Sequence, residues 1–183
     1  MSRLVIVLPL ESLGVGDGFS LKDWPLHLTA APTFVIGGDD IAVQNVDATY
    51  AKVVGVTAPT LAGQQQLTVR AGLDAGFGHS GKIPVTLIEP STELLGLHHR
   101  LVDALRSVGA TFDDPEFVGP GYQPHITVTR SSRVSLGEVL TLRQAALVDM
   151  APAGDRRLRR VVWVRTLGKS DPARPANPDS RQG

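Results

Sequence analysis

The sequence predicts an α+β fold made of two similar halves that face each other across a central groove. Strand and helix patterns follow one another in the order strand, strand, helix, strand pair, helix, strand, strand pair. Each half contains one strand, at 26–30 and at 125–129, on which a histidine is followed two places later by a threonine. We expect a pseudo-twofold arrangement that brings these two His/Thr strands together at the groove.

In the first half, apolar runs bounded by prolines and glycines predict the strands. The run at 3–9 predicts a buried strand, and the glycine-rich segment 11–22 predicts a loop. The first His/Thr strand at 26–30 continues as extended chain over 31–36. Apolar residues at spacings of three and four then predict a helix over about 44–57, ended by a proline. The predicted buried face and the terminating proline are Val46, Tyr50, Val53, Val54 and Pro59.

In the second half, turn residues between 66–73 and 82–88 predict a hairpin, and Pro84 favours an edge position for its second strand. The strongest helical pattern covers 92–108, where leucines recur at spacings of three and four. The other predictions here are an N-cap at Ser91, a helix stop at Gly109, the second His/Thr strand at 125–129, a short helix or turn at 135–141, and strands at 145–150 and 160–167.

Composition limits the classes of function. With 183 residues, 42% of them apolar, the chain is long enough for one domain; we expect it to cover 1–168, with 169–183 a disordered proline-rich tail. The 18 basic and 18 acidic residues balance, which argues against broad attraction to duplex nucleic acid or an anionic membrane. Cysteine is absent, which excludes disulfides and thiolate metal sites. No apolar run reaches the length of a membrane span, and we expect a cytoplasmic protein.

The motifs themselves read His27-Leu28-Thr29-Ala30 and His125-Ile126-Thr127-Val128. Residues two apart on a strand share a face, so each histidine lies beside its threonine while the apolar residues face the core. A single strand histidine is usually satisfied by core hydrogen bonds. A matched pair, separated by about half the chain, instead favours a catalytic role.

Two imidazoles in one groove can act as a general acid and a general base, because an unperturbed histidine titrates near pKa ~6.5. The hydroxyls of Thr29 and Thr127 can donate to the two non-bridging oxygens of a phosphate, and Arg130 can reach that phosphate or the adjoining nucleotide. No acidic cluster accompanies the histidines, so the pattern implies no metal. These groups suit in-line attack at phosphorus, with one histidine at the attacking oxygen and one at the leaving oxygen.

The paired motifs resemble those of the 2H phosphoesterase superfamily, in particular its 2′-5′ RNA ligase-like (LigT) and cyclic phosphodiesterase group. Members of that family carry two motifs of histidine, apolar residue, threonine or serine, and apolar residue. The resemblance extends over roughly residues 3–167. It includes the initial strand, the helix at 92–108, the aromatic-x-Pro-His sequence that begins at Tyr122, and Arg130 just after the second motif.

The resemblance implies a bilobal α+β fold in which two antiparallel sheets line the groove with helices outside. It implies hydrolysis of 2′,3′-cyclic phosphates, or of 2′,5′ bonds, in RNA or small nucleotides, without a metal or other cofactor. His27 would then donate a proton and His125 would accept one, and the product would be a 2′-phosphate. The expected partner is an RNA end or a small cyclic nucleotide, and we expect a monomer.

Two other functions stay open on the sequence: a hydrolase of cyclic oligonucleotide signals, and a nucleotide- or RNA-binding module without catalysis. Trp24 and Tyr122 each lie three residues before a motif histidine. Core packing is the simpler interpretation of both aromatic side chains, and stacking on a base is the alternative.

The remaining histidines and a basic run receive structural interpretations. His98 and His99 lie on the predicted helix at 92–108, and we expect them to be structural or solvated. His79 lies in a glycine-rich turn, and we expect it to be exposed. The arginines at 156, 157, 159 and 160 predict a solvated turn and strand edge rather than an RNA contact.

Overall fold

The computed structural model describes residues 2–37, 45–78, 80–129 and 132–168, and these contain ten strands and two α-helices. Strands β1 to β5 and the helices α1 and α2 account for the first part of the chain. Strands β1 to β5 cover Arg3–Pro9, Gly18–Ser20, His27–Ile36, Leu67–Phe77 and Ile83–Ile88. Helices α1 and α2 cover Val46–Ala62 and Thr92–Arg106. Strands β6 to β10 cover Ala110–Phe112, His125–Thr127, Val139–Leu142, Gln144–Asp149 and Leu158–Thr166. The predicted α+β class is confirmed.

The strands pair antiparallel in the order β2-β10-β9-β1-β3-β7-β5-β4-β8, and β6 pairs with the end of β3. One lobe consists of β2, β10, β9, β1 and β3, and the other consists of β7, β5, β4 and β8. The two expected sheets are joined at the centre, where β3 meets β7 at the residue pair Leu28 and Ile126. The two His/Thr strands are therefore direct neighbours at the floor of the groove.

Each lobe is assembled from separated segments of the chain. The first lobe combines strands from residues 3–36 with strands from 144–166, and the second combines strands from 67–88 with strands from 125–142. The lobes are thus not the two successive halves of the sequence. The long strand β1 at the heart of the first lobe pairs with β3 on one side and with β9 on the other.

Strand β1 shows how the core is divided between the two faces of the sheet. Leu4, Ile6 and Leu8 belong to a large buried cluster that includes the apolar sides of both helices. Val5 and Val7 belong to a smaller cluster on the opposite face, which we call the groove face. Because β1 is buried on both faces, its sequence is a continuous apolar run rather than an alternating one.

Helix α1 is present, but it ends later than predicted. Of its predicted buried face, Tyr50, Val53 and Val54 pack in or against the core, and only Val46 does not. The buried residues of the helix recur every four positions, at Thr49, Val53, Thr57 and Leu61, whereas Val46 is 45% exposed. The helix also continues through Pro59 to Ala62. Pro59 and Gly55, whose carbonyl loses its helical donor, are both exposed, so water can take the place of the missing bond.

Helix α2 agrees closely with its prediction. The hydroxyl of Ser91 accepts a hydrogen bond from the Leu94 N–H at 3.2 Å, as expected of an N-cap. The helix ends at Arg106, two residues before the predicted end, and Gly109 follows with a φ of +84°. Its buried face consists of Leu94, Leu97, His98, Leu101, Val102 and Leu105.

Three predictions each missed a strand pairing. Strand β5 is not an edge strand, because it pairs with β4 on one side and β7 on the other. Pro84 is tolerated there since it lies one residue outside the β5–β7 ladder and contributes only its carbonyl, which accepts from the Val128 N–H. In segment 135–141 the predicted turn is present at Leu136 and Gly137, but the chain then enters β8, which pairs with β4. The predicted loop at 11–22 contains the short strand β2, which pairs with β10.

Arg130, His79 and the segment 169–183 lie outside the described residues, so the predictions made for them are not addressed by this structure. Among the residues described, no helix is both long enough and apolar enough to cross a membrane.

One methyl group added at Gly121, in the loop before the second His/Thr strand, should strongly lower the stability of the protein. A Cβ placed on Gly121 would overlap the carbonyl oxygen of Glu116, which is backbone and cannot swing away. We expect Gly121→Ala to destabilise the protein by about 2 kcal/mol or more and to lower its melting temperature by roughly 4 °C or more, measured by circular dichroism.

Gly63→Ala is the matched control. Gly63 has a φ of −86°, and a methyl group added to its Cα would meet no atom within 4 Å, so alanine there should stabilise the protein slightly. Equal melting temperatures for the two variants would show that the Glu116–Gly121 loop adapts to the added methyl group.

Candidate active site

The register of β3 and β7 arranges the four motif residues in a square. Leu28 pairs with Ile126, and an antiparallel ladder then puts position 27 opposite 127 and position 29 opposite 125. Each histidine lies across from the threonine of the other motif, and the two histidines occupy a diagonal. Diagonal neighbours in such a ladder are roughly 7–8 Å apart, which leaves room for a phosphate between the two rings.

Both imidazole rings are anchored through Nδ1. Nδ1 of His27 lies 2.7 Å from the carbonyl oxygen of Pro25, and Nδ1 of His125 lies 2.8 Å from the carbonyl oxygen of Gln123. A carbonyl oxygen can only accept, so in each neutral ring Nδ1 carries the proton and donates it. Nε2 of each ring is left for a substrate, as a base when unprotonated and as an acid when protonated.

The local sequence explains why the two anchors match. In both motifs the accepting carbonyl belongs to the residue two places before the histidine. Pro25 supplies one of these carbonyls itself, and Gln123 is followed by Pro124. A proline fixes its own φ and restricts the residue before it to extended conformations, so both carbonyls are held in place ahead of the strand.

Burial lowers the pKa of both catalytic candidates. The pKa of His27 falls to about 4, mainly because the ring is desolvated, and a positive charge on His125 lowers it further, while the Pro25 carbonyl acts in the opposite direction. Burial also lowers the pKa of His125, opposed by the Gln123 carbonyl. Both rings are therefore neutral in the free protein at pH 7.

An aromatic ring supports each imidazole. The ring centroids of Trp24 and His27 are 4.2 Å apart, and those of Phe77 and His125 are 4.4 Å apart. These contacts desolvate the imidazoles and limit the rotation of both rings. The two halves of the site thus repeat the same construction, with one carbonyl anchor and one aromatic neighbour for each histidine.

All four motif residues line one cavity of about 430 Å³ on the groove face. Among the described residues, the hydroxyls of Thr29 and Thr127 form no hydrogen bond to the protein, so both can donate to a ligand in the cavity. The structure brings together His27, His125 and both threonines as the sequence predicts. The residues that line the cavity beside them include Val5, Trp24, Phe77, Asp114, Phe117 and Tyr122.

Tyr122 lies beneath this cavity, where it has a structural role. Its ring is 8% exposed and stacks on His98 at a centroid distance of 3.8 Å, and its hydroxyl donates to the carbonyl of Thr29 at 2.7 Å. This environment agrees with the core-packing interpretation and leaves Tyr122 little surface on which a base could stack. The Tyr122 hydroxyl instead fixes the backbone of β3 beside His27.

His98 links three elements from within the core, so its predicted structural role is confirmed. Nδ1 donates to the carbonyl of Ala30 at 2.8 Å, and Nε2 accepts from the Gly119 N–H at 2.9 Å. Burial lowers the pKa of His98, which favours the neutral ring that can make both bonds. The side chain therefore ties α2 to β3 and to the loop that leads into Tyr122.

The basic run at 156–160 does not behave as one solvated edge. Arg157 is exposed and pairs with Asp155, as expected, but Arg159 is only 8% exposed. Its guanidinium lies over the ring of Trp24, with Cζ 5.5 Å from the ring centroid. The prediction is therefore wrong for Arg159, because the alternation along β10 turns this side chain inward while its neighbours face solvent.

Sequence reasoning missed the residues that reach the cavity from outside the motifs. Phe77 lies at the end of β4, and Asp114 and Phe117 lie in the loop after β6. Phe117 is 48% exposed. The one available signal was the position of aromatic residues in glycine- and proline-rich segments, since the chain has only five phenylalanines and exposed loop aromatics often serve binding.

In the described parts of the chain, no group of three or more histidine or carboxylate side chains is placed to hold a metal ion. The site consists of two neutral imidazoles, two hydroxyl donors and an aromatic rim. This arrangement defines a two-histidine site suited to proton transfer on either side of a phosphate.

The family follows from comparison with known proteins. The model of the 2′-5′ RNA ligase superfamily matches residues 15–161, so the chain belongs to that superfamily. The match confirms the resemblance to the 2H phosphoesterases that the paired motifs indicated. No curated protein matches the chain in sequence.

Solved structures share the fold at low sequence identity. TT0787 of Thermus thermophilus matches with a TM-score of 0.56 and 14% identity, over 92% of this chain and 100% of that one. LigT of E. coli, complexed with NADP+, matches with a TM-score of 0.55 and 17% identity, over 92% and 99%. A structure described as a phosphoesterase has a TM-score of 0.54 and 19% identity, over 92% and 99%.

Proposed function

We propose that the protein is a metal-independent phosphodiesterase that opens 2′,3′-cyclic phosphates, or cleaves 2′,5′ bonds, at RNA ends or in small nucleotides. The observation that carries this proposal is the diagonal pair of imidazoles, each with its Nδ1 proton donated to a backbone carbonyl. This geometry supports one ring acting as an acid and the other as a base through Nε2. Membership of the 2′-5′ RNA ligase superfamily supports the same chemistry.

In the proposed reaction, Nε2 of His125 accepts a proton from water, and the water oxygen forms a bond to phosphorus. The bond from phosphorus to O3′ breaks in line with the attack. O3′ takes the proton from Nε2 of His27, so that a 2′-phosphate and a free 3′-hydroxyl result. One proton has moved from water to His125 and another from His27 to the sugar, and exchange with solvent restores both rings.

The phosphate is expected on the free diagonal of the square, between the hydroxyls of Thr29 and Thr127. Two hydroxyl donors match the two non-bridging oxygens and stabilise the charge that develops on them. Crystals of E. coli LigT have been obtained with 3′-AMP and with phosphate. Those ligands belong to a protein that shares the fold, and they favour a nucleotide-sized substrate for the cavity seen in this chain.

One side of the cavity is aromatic and can receive the nucleoside part of the substrate. Phe77 and the half-exposed Phe117 line the cavity next to His125, and a base can stack on either ring with little sequence preference. We therefore transfer the stacking role suggested by the sequence for Tyr122 to these two phenylalanines. Trp24 packs against His27 and also lines the cavity, so its ring offers a further surface on which a base can stack.

Removal of either imidazole should abolish turnover while leaving the fold intact. We expect His27→Ala and His125→Ala each to lower kcat for an adenosine 2′,3′-cyclic phosphate substrate by about 10² to 10⁴, the usual contribution of a general acid or base. Both side chains reach the cavity surface, so circular dichroism should show unchanged folding. His99→Ala, on the exposed face of α2, is the matched control.

Near-normal turnover by either single variant would contradict the two-histidine mechanism. Loss of activity in a strong chelator, with recovery on adding zinc, would make the two histidines metal ligands instead. Tight binding of the nucleotide without any turnover by the unmodified protein would favour the non-catalytic binding module.

The lowered pKa values of the two rings predict a characteristic pH dependence. His27 has a pKa of about 4 in the free protein, and burial lowers that of His125 below its usual value. The alkaline limb of kcat/KM, which reports the free protein, should therefore lie below the pKa of about 6.5 of an unperturbed imidazole, because the protonated acid is already scarce at that pH. A bound phosphate anion raises the pKa of a neighbouring imidazole. The alkaline limb of kcat should therefore lie at higher pH than the limb of kcat/KM. Coincident limbs would show that the phosphate does not lie beside the acid.

The product should be a single monoester. Because the two imidazoles are fixed on one diagonal, water can enter only opposite the oxygen that faces His27, and the cavity should admit the ribose in one orientation. Phosphorus NMR of the product from a 2′,3′-cyclic mononucleotide should show the 2′-phosphate alone. A mixture of 2′- and 3′-phosphates would mean that the site does not orient the sugar.

A further inference from the structure

Arg159 is a buried cation on an otherwise apolar surface. It lies on the inward side of β10, beside the groove-face cluster that contains Val161. Its Nη1 donates to the carbonyls of Met150, Arg156 and Leu158 at 2.7 to 2.8 Å. These bonds hold the guanidinium in one position, but carbonyl dipoles do not neutralise a full positive charge.

No carboxylate among the described residues forms an ion pair with Arg159. Asp149 is the acidic group that attracts the Arg159 guanidinium electrostatically. The two Asp149 oxygens, however, already accept hydrogen bonds from the Tyr50 hydroxyl and the Ala151 N–H. Arg3, the other charged neighbour, repels it and is paired with Asp113. Burying a cation without a partner is costly, so the site is incomplete as it stands.

Two buried hydrogen-bond donors that lack a partner in the described part of the chain lie close together at Arg159 and Trp24. Within the described residues, only two buried side-chain polar atoms lack a hydrogen-bond partner, and they are Nε of Arg159 and Nε1 of Trp24. The guanidinium of Arg159 lies over the Trp24 ring. Two neighbouring donors and a positive charge call for a ligand that only accepts hydrogen bonds and carries negative charge.

A second cavity, of about 460 Å³, opens beside these groups, and we call it the Arg159 cavity. It shares Trp24, His27 and Thr127 with the cavity that holds the motif residues. Lys22, which is exposed, lies on its wall and adds a second cation. The Trp24 ring lies between the His27 ring and the Arg159 guanidinium. Its centroid is 4.2 Å from the His27 ring centroid and 5.5 Å from Cζ of Arg159.

We propose that the Arg159 cavity is a subsite for a second phosphate of the substrate, on the nucleotide that adjoins the scissile phosphate. This inference rests on the proposed phosphodiesterase function and narrows its substrate class. The preferred substrates would be RNA ends of two or more nucleotides, or cyclic nucleotides that carry a further phosphate. A mononucleoside cyclic phosphate would leave Arg159 and Lys22 without their anion.

Kinetics on three substrates test this subsite. They are adenosine 2′,3′-cyclic phosphate, the same compound with a 5′-phosphate, and a dinucleotide that ends in a 2′,3′-cyclic phosphate. The last two distinguish a terminal phosphate from an internucleotide one. We expect the natural protein to favour at least one of them by about tenfold in kcat/KM, the effect of one charge-assisted contact.

Substitutions should reduce that preference. Arg159→Met keeps the length and apolar character of the stem but removes the charge, and we expect it to bring the ratio of kcat/KM values close to one. Lys22→Ala should lower the ratio by a smaller factor. Lys52→Ala is the matched control, because Lys52 is an exposed lysine on α1 outside both cavities, and the ratio should not change. If Arg159→Met does not fold, the exposed Lys22 decides the test.

A binding measurement separates the inference from the proposed function. Isothermal titration with adenosine 3′,5′-bisphosphate and with adenosine 3′-monophosphate requires no turnover, and the bisphosphate should bind about tenfold more tightly to the natural protein but not to Arg159→Met. Turnover of all three cyclic substrates at equal efficiency, with equal binding of the two nucleotides, would overturn the subsite and leave the phosphodiesterase intact. Preference for the bisphosphate without any turnover would support the subsite and overturn the proposed activity.

Discussion

One backbone contact, the antiparallel pairing of Leu28 with Ile126, is the constraint on which the site depends. It joins the two lobes, and its register alone decides which side chains meet on the groove face. A shift of either strand by one residue would turn that strand's own histidine into the core and its apolar residues into the groove. The full burial of Leu28 and the 1% exposure of Ile126 therefore fix the geometry of the chemistry as well as the stability of the fold.

The imidazoles are positioned by backbone carbonyls, and no carboxylate among the described residues orients them. A neutral acceptor at Nδ1 selects the tautomer without adding a negative charge that would raise the pKa of the ring. Burial outweighs the opposite effect of these carbonyls and lowers the pKa of both rings in the free protein. In the proposed reaction such a site would become charged mainly when a phosphate enters, so the substrate itself would help to create the acid.

Much of the fold could be predicted because strong local patterns agree with tertiary packing. The uninterrupted apolar run of β1, the leucine spacing of α2 and the paired motifs each had one reasonable interpretation. The failures concern partners distant in sequence. Nothing near Gly18–Ser20 indicates that β10 will pair with it, and the exposure of Gly55 that lets α1 continue through Pro59 is a tertiary property. Arg159 was missed for the same reason, since a basic run does not reveal which of its members faces inward.

The interleaved assembly of the lobes has a consequence for how the protein is made. Strand β1, which is synthesised before the other nine strands described, has one lateral partner in β3, but its other partner is β9, more than a hundred residues later. Its groove-face valines stay uncovered until that strand arrives, and the second His/Thr strand is also late in the chain. A nascent chain therefore carries an apolar, half-paired strand until β9 has been made, the kind of surface that chaperones recognise.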